Sequence, residues 1–124
     1  MSIFAGVSYK SGYNLLYIII FDDRAEMLSK SSITCYDREE AAERLFYFIR
    51  SFYHEHEDSL VIAIDDELLY HAADERFSVY EDISCIIAEE FDKFNGILNA
   101  IISDTDCFFR DAFFCSIFAV FNSG

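Results

Sequence analysis

Residues 15–21, Leu-Leu-Tyr-Ile-Ile-Ile-Phe, are apolar without a break. The run is far shorter than the ~20 residues that span a bilayer. It also lacks the in-out alternation of a strand with one wet face. Rich in β-branched and aromatic residues, it predicts a strand covered on both faces. Residues 60–64, Leu-Val-Ile-Ala-Ile, predict a second such strand in the middle of a sheet.

The rest of the chain supplies partners for these strands. Residues 2–9 predict a short strand, and Lys10-Ser11-Gly12 a turn. Asp22-Asp23-Arg24-Ala25 marks the next turn, and residues 27–36 alternate moderately as a third strand. Three strands joined by short turns predict an antiparallel meander. Asp37-Arg38-Glu39-Glu40 then has the form of a capping box. Ala41, Leu45, Phe48, Ile49 and Phe52 follow at helical spacing to about residue 55. Ser78-Val79-Tyr80-Glu81 repeats the capping pattern, and Ile83, Ile86, Ile87, Phe91 and Phe94 predict a helix over 79–94, stopped by Asn95-Gly96. Residues 97–102 fit a short strand or a helical turn. Residues 107–121 predict a Phe-rich helix that must be buried, in this fold or against another copy. The expectation is one α+β domain over residues 1–124: an antiparallel meander, then helix, strand and two further helices packed on a mainly antiparallel sheet.

The charge is lopsided: 23 Asp and Glu oppose 9 Lys and Arg, for a net charge of −14 in a chain that is 53% hydrophobic and 18% aromatic. A disordered acidic tail would be poor in Phe, Tyr and Ile. This chain should therefore fold and carry its charge outside, well beyond the ~2–8 units that solubility asks of a small domain. Such a surface repels nucleic acid and anionic membrane and attracts basic proteins. The start, Met-Ser-Ile-Phe-Ala-Gly, has no basic n-region. Cys35, Cys85, Cys107 and Cys115 form no CxxC pair and read as reduced, largely buried thiols of a cytoplasmic protein.

Acidic pairs recur at turns and helix starts. One reading is a solvated surface. Another is imitation of the phosphate array that Lys- and Arg-lined proteins bind. Glu81, Asp82, Glu89, Glu90 and Asp92, together with Asp65, Asp66 and Glu67, are the partner-binding candidates. His54 and His56 lie two apart, which on a helix points them away from each other. His71 stands alone. No Cys-His or Ser-His-Asp spacing suggests a nucleophile, so catalytic residues, metal and cofactor are all expected to be none.

Three strands, a helix, then a strand ending in Asp65 resembles the ribonuclease-H-like fold. That resemblance implies a metal-binding carboxylate on the first strand, a Glu on the first helix, matched by Glu43, and an Asp ending the fourth strand, matched by Asp65. The first strand offers Ala5, Gly6, Val7 and Ser8 instead of a carboxylate. In size, acidity and lack of catalytic motifs the chain also resembles phage anti-defence proteins (anti-CRISPR, anti-restriction and DNA-glycosylase inhibitors). The leading expectation is a non-catalytic inhibitor that occupies a basic, nucleic-acid-handling protein. Alternatives are an immunity protein against a nuclease toxin, a degenerate or active metal-dependent nuclease, and an oligomeric adaptor whose charge serves only solubility; the aromatic surface would suit a homodimer.

Overall fold

The structure is a computed structural model that describes residues 2–54, 57–88 and 109–122. The chain runs β1 (Ser2–Lys10), β2 (Leu15–Asp22), β3 (Met27–Thr34), α1 (Arg38–Arg50), β4 (Ser59–Ile64), α2 (Glu67–Phe77), β5 (Ile83–Ile87) and α3 (Arg110–Phe121). The domain is α+β, and the order of three strands, helix, strand, helix, strand and helix is as expected, although the helix after β4 lies at Glu67–Phe77, where the sequence reading assigns no element.

The five strands form one mixed sheet in the order β3-β2-β1-β4-β5. β1 and β2 pair antiparallel, as do β2 and β3. β4 runs parallel to β1, and β5 parallel to β4. The meander is as expected, but the sheet is not mainly antiparallel, because each strand after α1 returns by a helical crossover and parallel pairing needs such a connection.

Burial on both faces follows from the alternation of side chains. Ile3, Ala5, Val7 and Tyr9 of β1 join a core with Leu16, Ile18 and Ile20 of β2 and Leu60, Ile62 and Ile64 of β4. α1 and α2 cover this face with Ala41, Ala42, Leu45, Ile49, Leu69, Ala73 and Phe77. The opposite face carries Phe4, Tyr17, Ile19 and Ala63, and α3 closes it with Ala112, Phe113, Phe114, Cys115 and Ala119. The Phe-rich helix is thus packed within this fold, with Val120 and Phe121 left exposed at its end.

Local signals set the boundaries. Asp37 caps α1, its carboxylate accepting from the Glu40 N–H at 2.9 Å. Glu40 does not complete the box; its carboxylate pairs with Arg44 at 3.3 Å. The predicted helix over 79–94 is corrected across its described part. Ser78 ends α2 and donates its hydroxyl to the Glu75 carbonyl at 2.8 Å, and Ile83–Ile87 is a strand. Ile83, Ile86 and Ile87 suit a helix by spacing, but the β-branched run pairs with β4 instead, so tertiary context overrides the local pattern. The predicted stop at Asn95-Gly96 and the ambiguous 97–102 lie outside the described residues.

Candidate functional site

The carboxyl ends of β1 and β4 lie side by side, and from them the chain departs in opposite directions, β1 towards β2 and β4 towards β5. In open sheets built with parallel strands, such a switch point is where ligands collect. The side chains that gather here are polar.

Asp65, directly after β4, points to the α3 side. Its Oδ2 accepts from the Ser8 hydroxyl at 2.6 Å, and its Oδ1 accepts from the Tyr9 N–H at 3.0 Å. Burial raises its carboxyl above the ordinary Asp value; the bonds from Ser8 and Tyr9 and the charge of Lys10 oppose this, and Asp111 adds to it. The Lys10 ammonium is ion-paired with the Asp111 carboxylate in the first turn of α3. Beneath them Cys115 is fully buried, and burial pushes its thiol well up.

Asp66 is the N-cap of α2, accepting from the Leu69 N–H at 2.8 Å. Arg38 grips the same carboxylate with two nitrogens, at 2.9 and 3.1 Å. Burial acts to raise the Asp66 carboxyl, but the Arg38 bond and charge and the backbone donors outweigh it and leave it lowered. The same guanidinium sits 5.4 Å from the Tyr9 ring centre.

The candidate residues therefore separate. Asp65 and Asp66 are engaged with the body of the fold, while Glu67, Glu81 and Asp82 are exposed. Glu89, Glu90 and Asp92 lie outside the described residues. On α2 the exposed residues are Glu67, Leu68, His71, Asp74 and Glu75, whose three- and four-residue spacing puts them on one side of the helix. Glu81 and Asp82 follow in the turn before β5, where the Asp82 carbonyl accepts from the Leu60 N–H at 2.8 Å. Arg76 of α2 turns to Glu39 at 3.0 Å, and His71 lies 3.8 Å from Glu67. Asp74 and Glu75 were not among the sequence candidates. The helical spacing from the Asp66 cap through Leu69, Ala73 and Phe77 is the signal that would have placed them.

Other carboxylates serve the turns and caps. Asp22 accepts from the Arg24 and Glu26 N–H groups, both at 2.9 Å, and fixes the β2–β3 turn. Asp58 accepts from the His54 N–H at 2.9 Å. Of the His54 and His56 pair, His56 lies outside the described residues. Cys35, Cys85 and Cys115 are free thiols; Cys107 lies outside.

The metal centre implied by the ribonuclease-H-like resemblance does not fit these residues. Ser8, not a carboxylate, faces Asp65 from β1. Glu43 is exposed on α1, beside Ile33, Arg44, Tyr47 and Phe48 in a groove next to β3. Among the described residues no three His, Cys, Asp or Glu side chains are grouped to hold an ion, and no helix is long and apolar enough to cross a membrane. No protein-family model matches the chain, and no curated protein is similar to it.

Proposed function

We propose that this is a non-catalytic inhibitor that binds a basic, nucleic-acid-handling protein through a carboxylate surface imitating nucleic acid. One observation carries the reading. Glu67, Asp74 and Glu75 line the outer side of α2, Glu81 and Asp82 continue from its end, and all are exposed. The arginine on that helix is drawn to Glu39, so the face stays strongly negative. From Glu67 to Glu75 the helix rises ~12 Å, at 1.5 Å per residue. Over such a length duplex DNA presents several phosphates, one charge per ~1.7 Å of axis. Leu68 and Val79 are exposed beside these carboxylates, at 61% and 75%, and add apolar area for the fully desolvated part of a contact. The net charge of −14 adds long-range attraction to a basic channel.

The test is a pull-down from the native host with the tagged protein, followed by affinity measurement across salt concentrations. The reading expects a nuclease or DNA-binding complex whose nucleic-acid binding is blocked, with affinity falling steeply by 0.5 M salt, where screening reaches within a few ångströms. An affinity unchanged at that salt would remove the electrostatic account.

A further inference from the structure

The centre at the β1–β4 switch point contains two carboxylates, Asp65 and Asp111, and one ammonium, Lys10. Carboxylates converging at the end of a buried strand ordinarily call for a cation, and a hard divalent ion with oxygen ligands is a common answer. Here the chain meets that demand itself. Ser8 and Lys10 are two apart on β1 and so project to the same side of the sheet, the side of Asp65 and α3. Ser8 and the Tyr9 N–H occupy both oxygens of Asp65, at 2.6 and 3.0 Å. The next residue, Lys10, delivers its charge to Asp111 and acts on Asp65 as well. Lys10 and Asp111 are each about one-third exposed, at 34% and 35%, so the pair lies on the solvent side of the centre.

We propose that Lys10 is the resident cation of this carboxylate centre, taking the place of a divalent metal and fastening the start of α3 to the ends of β1 and β4. The centre is then a closed ion cluster that stabilises the fold without metal. This holds or fails independently of the acidic-surface reading, because neither Lys10 nor Asp111 belongs to that surface.

The experiment follows thermal unfolding of the full chain with MnCl₂, or with NaCl at matched ionic strength. Wild type should unfold at the same temperature in both. Lys10→Met should lose several degrees, as about 1 kcal/mol does in a domain of this size, and Mn²⁺ should restore part of the loss. The double variant Lys10→Met with Asp65→Asn should gain nothing from Mn²⁺. A wild-type midpoint that rises with Mn²⁺ and no longer rises in Asp65→Asn would overturn the proposal. So would a Lys10→Met protein as stable as wild type, or one whose loss Mn²⁺ does not repair.

Should Lys10→Met fail to fold, Mn²⁺ broadening of wild-type amide signals decides alone. Sharp signals at Ser8, Tyr9 and Asp65, while those beside the exposed Asp23 and Glu26 at the other end of the sheet broaden, support the lysine as cation. Broadening at Ser8, Tyr9 and Asp65 at the lowest Mn²⁺ concentrations overturns it.

Discussion

Gly6 of β1 lies directly against Ala112 of α3: a Cβ built on Gly6 would stand 2.1 Å from the Ala112 carbonyl oxygen and 2.3 Å from the Ser116 nitrogen. No side chain fits there, and the obstacle is helix backbone, which cannot rotate away. Gly6→Ala should therefore destabilise by more than the about 1–3 kcal/mol of ordinary over-packing. Gly12, in the open β1–β2 turn with nothing within 4 Å of an added methyl, provides the control. Gly12→Ala should stay within about 1 kcal/mol of wild type. Urea unfolding midpoints compare the two, and equal midpoints would show that α3 does not sit so close to β1.

That contact also shows what was legible in the sequence. Residues 15–21 announced a strand covered on both faces, and β2 is buried that way between α3 and the α1–α2 layer. Asp37 announced the start of α1. The Ser8–Asp65 pair joins residues 57 apart, and only the parallel register of β1 and β4 brings them together. No local pattern encodes that register. Asp65-Asp66-Glu67 looked like one acidic cluster, yet each member faces a different environment: the switch point, a helix cap with Arg38, and solvent. Only Ser78 was read as a helix start, yet Asp66 caps α2 and Ser78 ends it, because Ile83–Ile87 pairs with β4, a long-range contact.

Asp65 and Asp66 are neighbours with opposite shifts, and stability should depend on both. The lowered Asp66 carboxyl contributes stability that is present above the unfolded-state Asp value and is lost as pH falls through its folded value. Asp66→Ala removes the cap of α2, which costs about 0.5–2 kcal/mol, and also strands Arg38. Asp66→Asn leaves an oxygen for the Leu69 N–H and isolates the charge on Arg38. Both variants should be less stable than wild type at pH 7, and the Asn deficit should shrink in acid. The raised Asp65 carboxyl works the other way, favouring the fold below the unfolded value and losing that contribution as pH rises through the folded one. Asp65→Asn should flatten that part of the profile. Urea titrations from pH 3 to 7 separate the two signs; a deficit in Asp66→Asn that is constant with pH would refute the ion-pair account.

The described thiols should be inert in the native protein. Cys35 and Cys115 are fully buried, and burial raises both thiols. Cys85 is pushed up to about 12 by burial, with Asp74 adding to it. Since the thiolate is the reacting species, alkylation by iodoacetamide at pH 8 should spare these positions and label them fully in urea. Peptide mass spectrometry assigns each site. Rapid native labelling of Cys35 or Cys115 would mean that the layer above it opens readily.

The outer side of α2, with Glu67, Asp74 and Glu75 exposed, is the face proposed to meet a basic partner. If the partner reads charge there, Glu67→Lys, Asp74→Lys and Glu75→Lys together should weaken binding by tenfold or more, mainly through a slower association rate at low salt. All three residues are exposed, and surface changes of this kind usually cost less than about 0.5 kcal/mol of stability each, so the fold should survive. The matching control reverses Asp23 and Glu26 in the β2–β3 turn, three strands across the sheet from β5. With the exposed Glu43→Lys beside β3 included, it makes the same number of charge reversals and leaves the α2 side intact. Attraction by overall charge alone would weaken both variants alike, whereas a defined carboxylate face loses binding only in the first. Association rates at 50 and 150 mM salt distinguish the two outcomes, because screening at the higher salt confines the interaction to about 8 Å. Equal loss in both variants would reduce the acidic surface to a long-range field and end the case for imitation of nucleic acid.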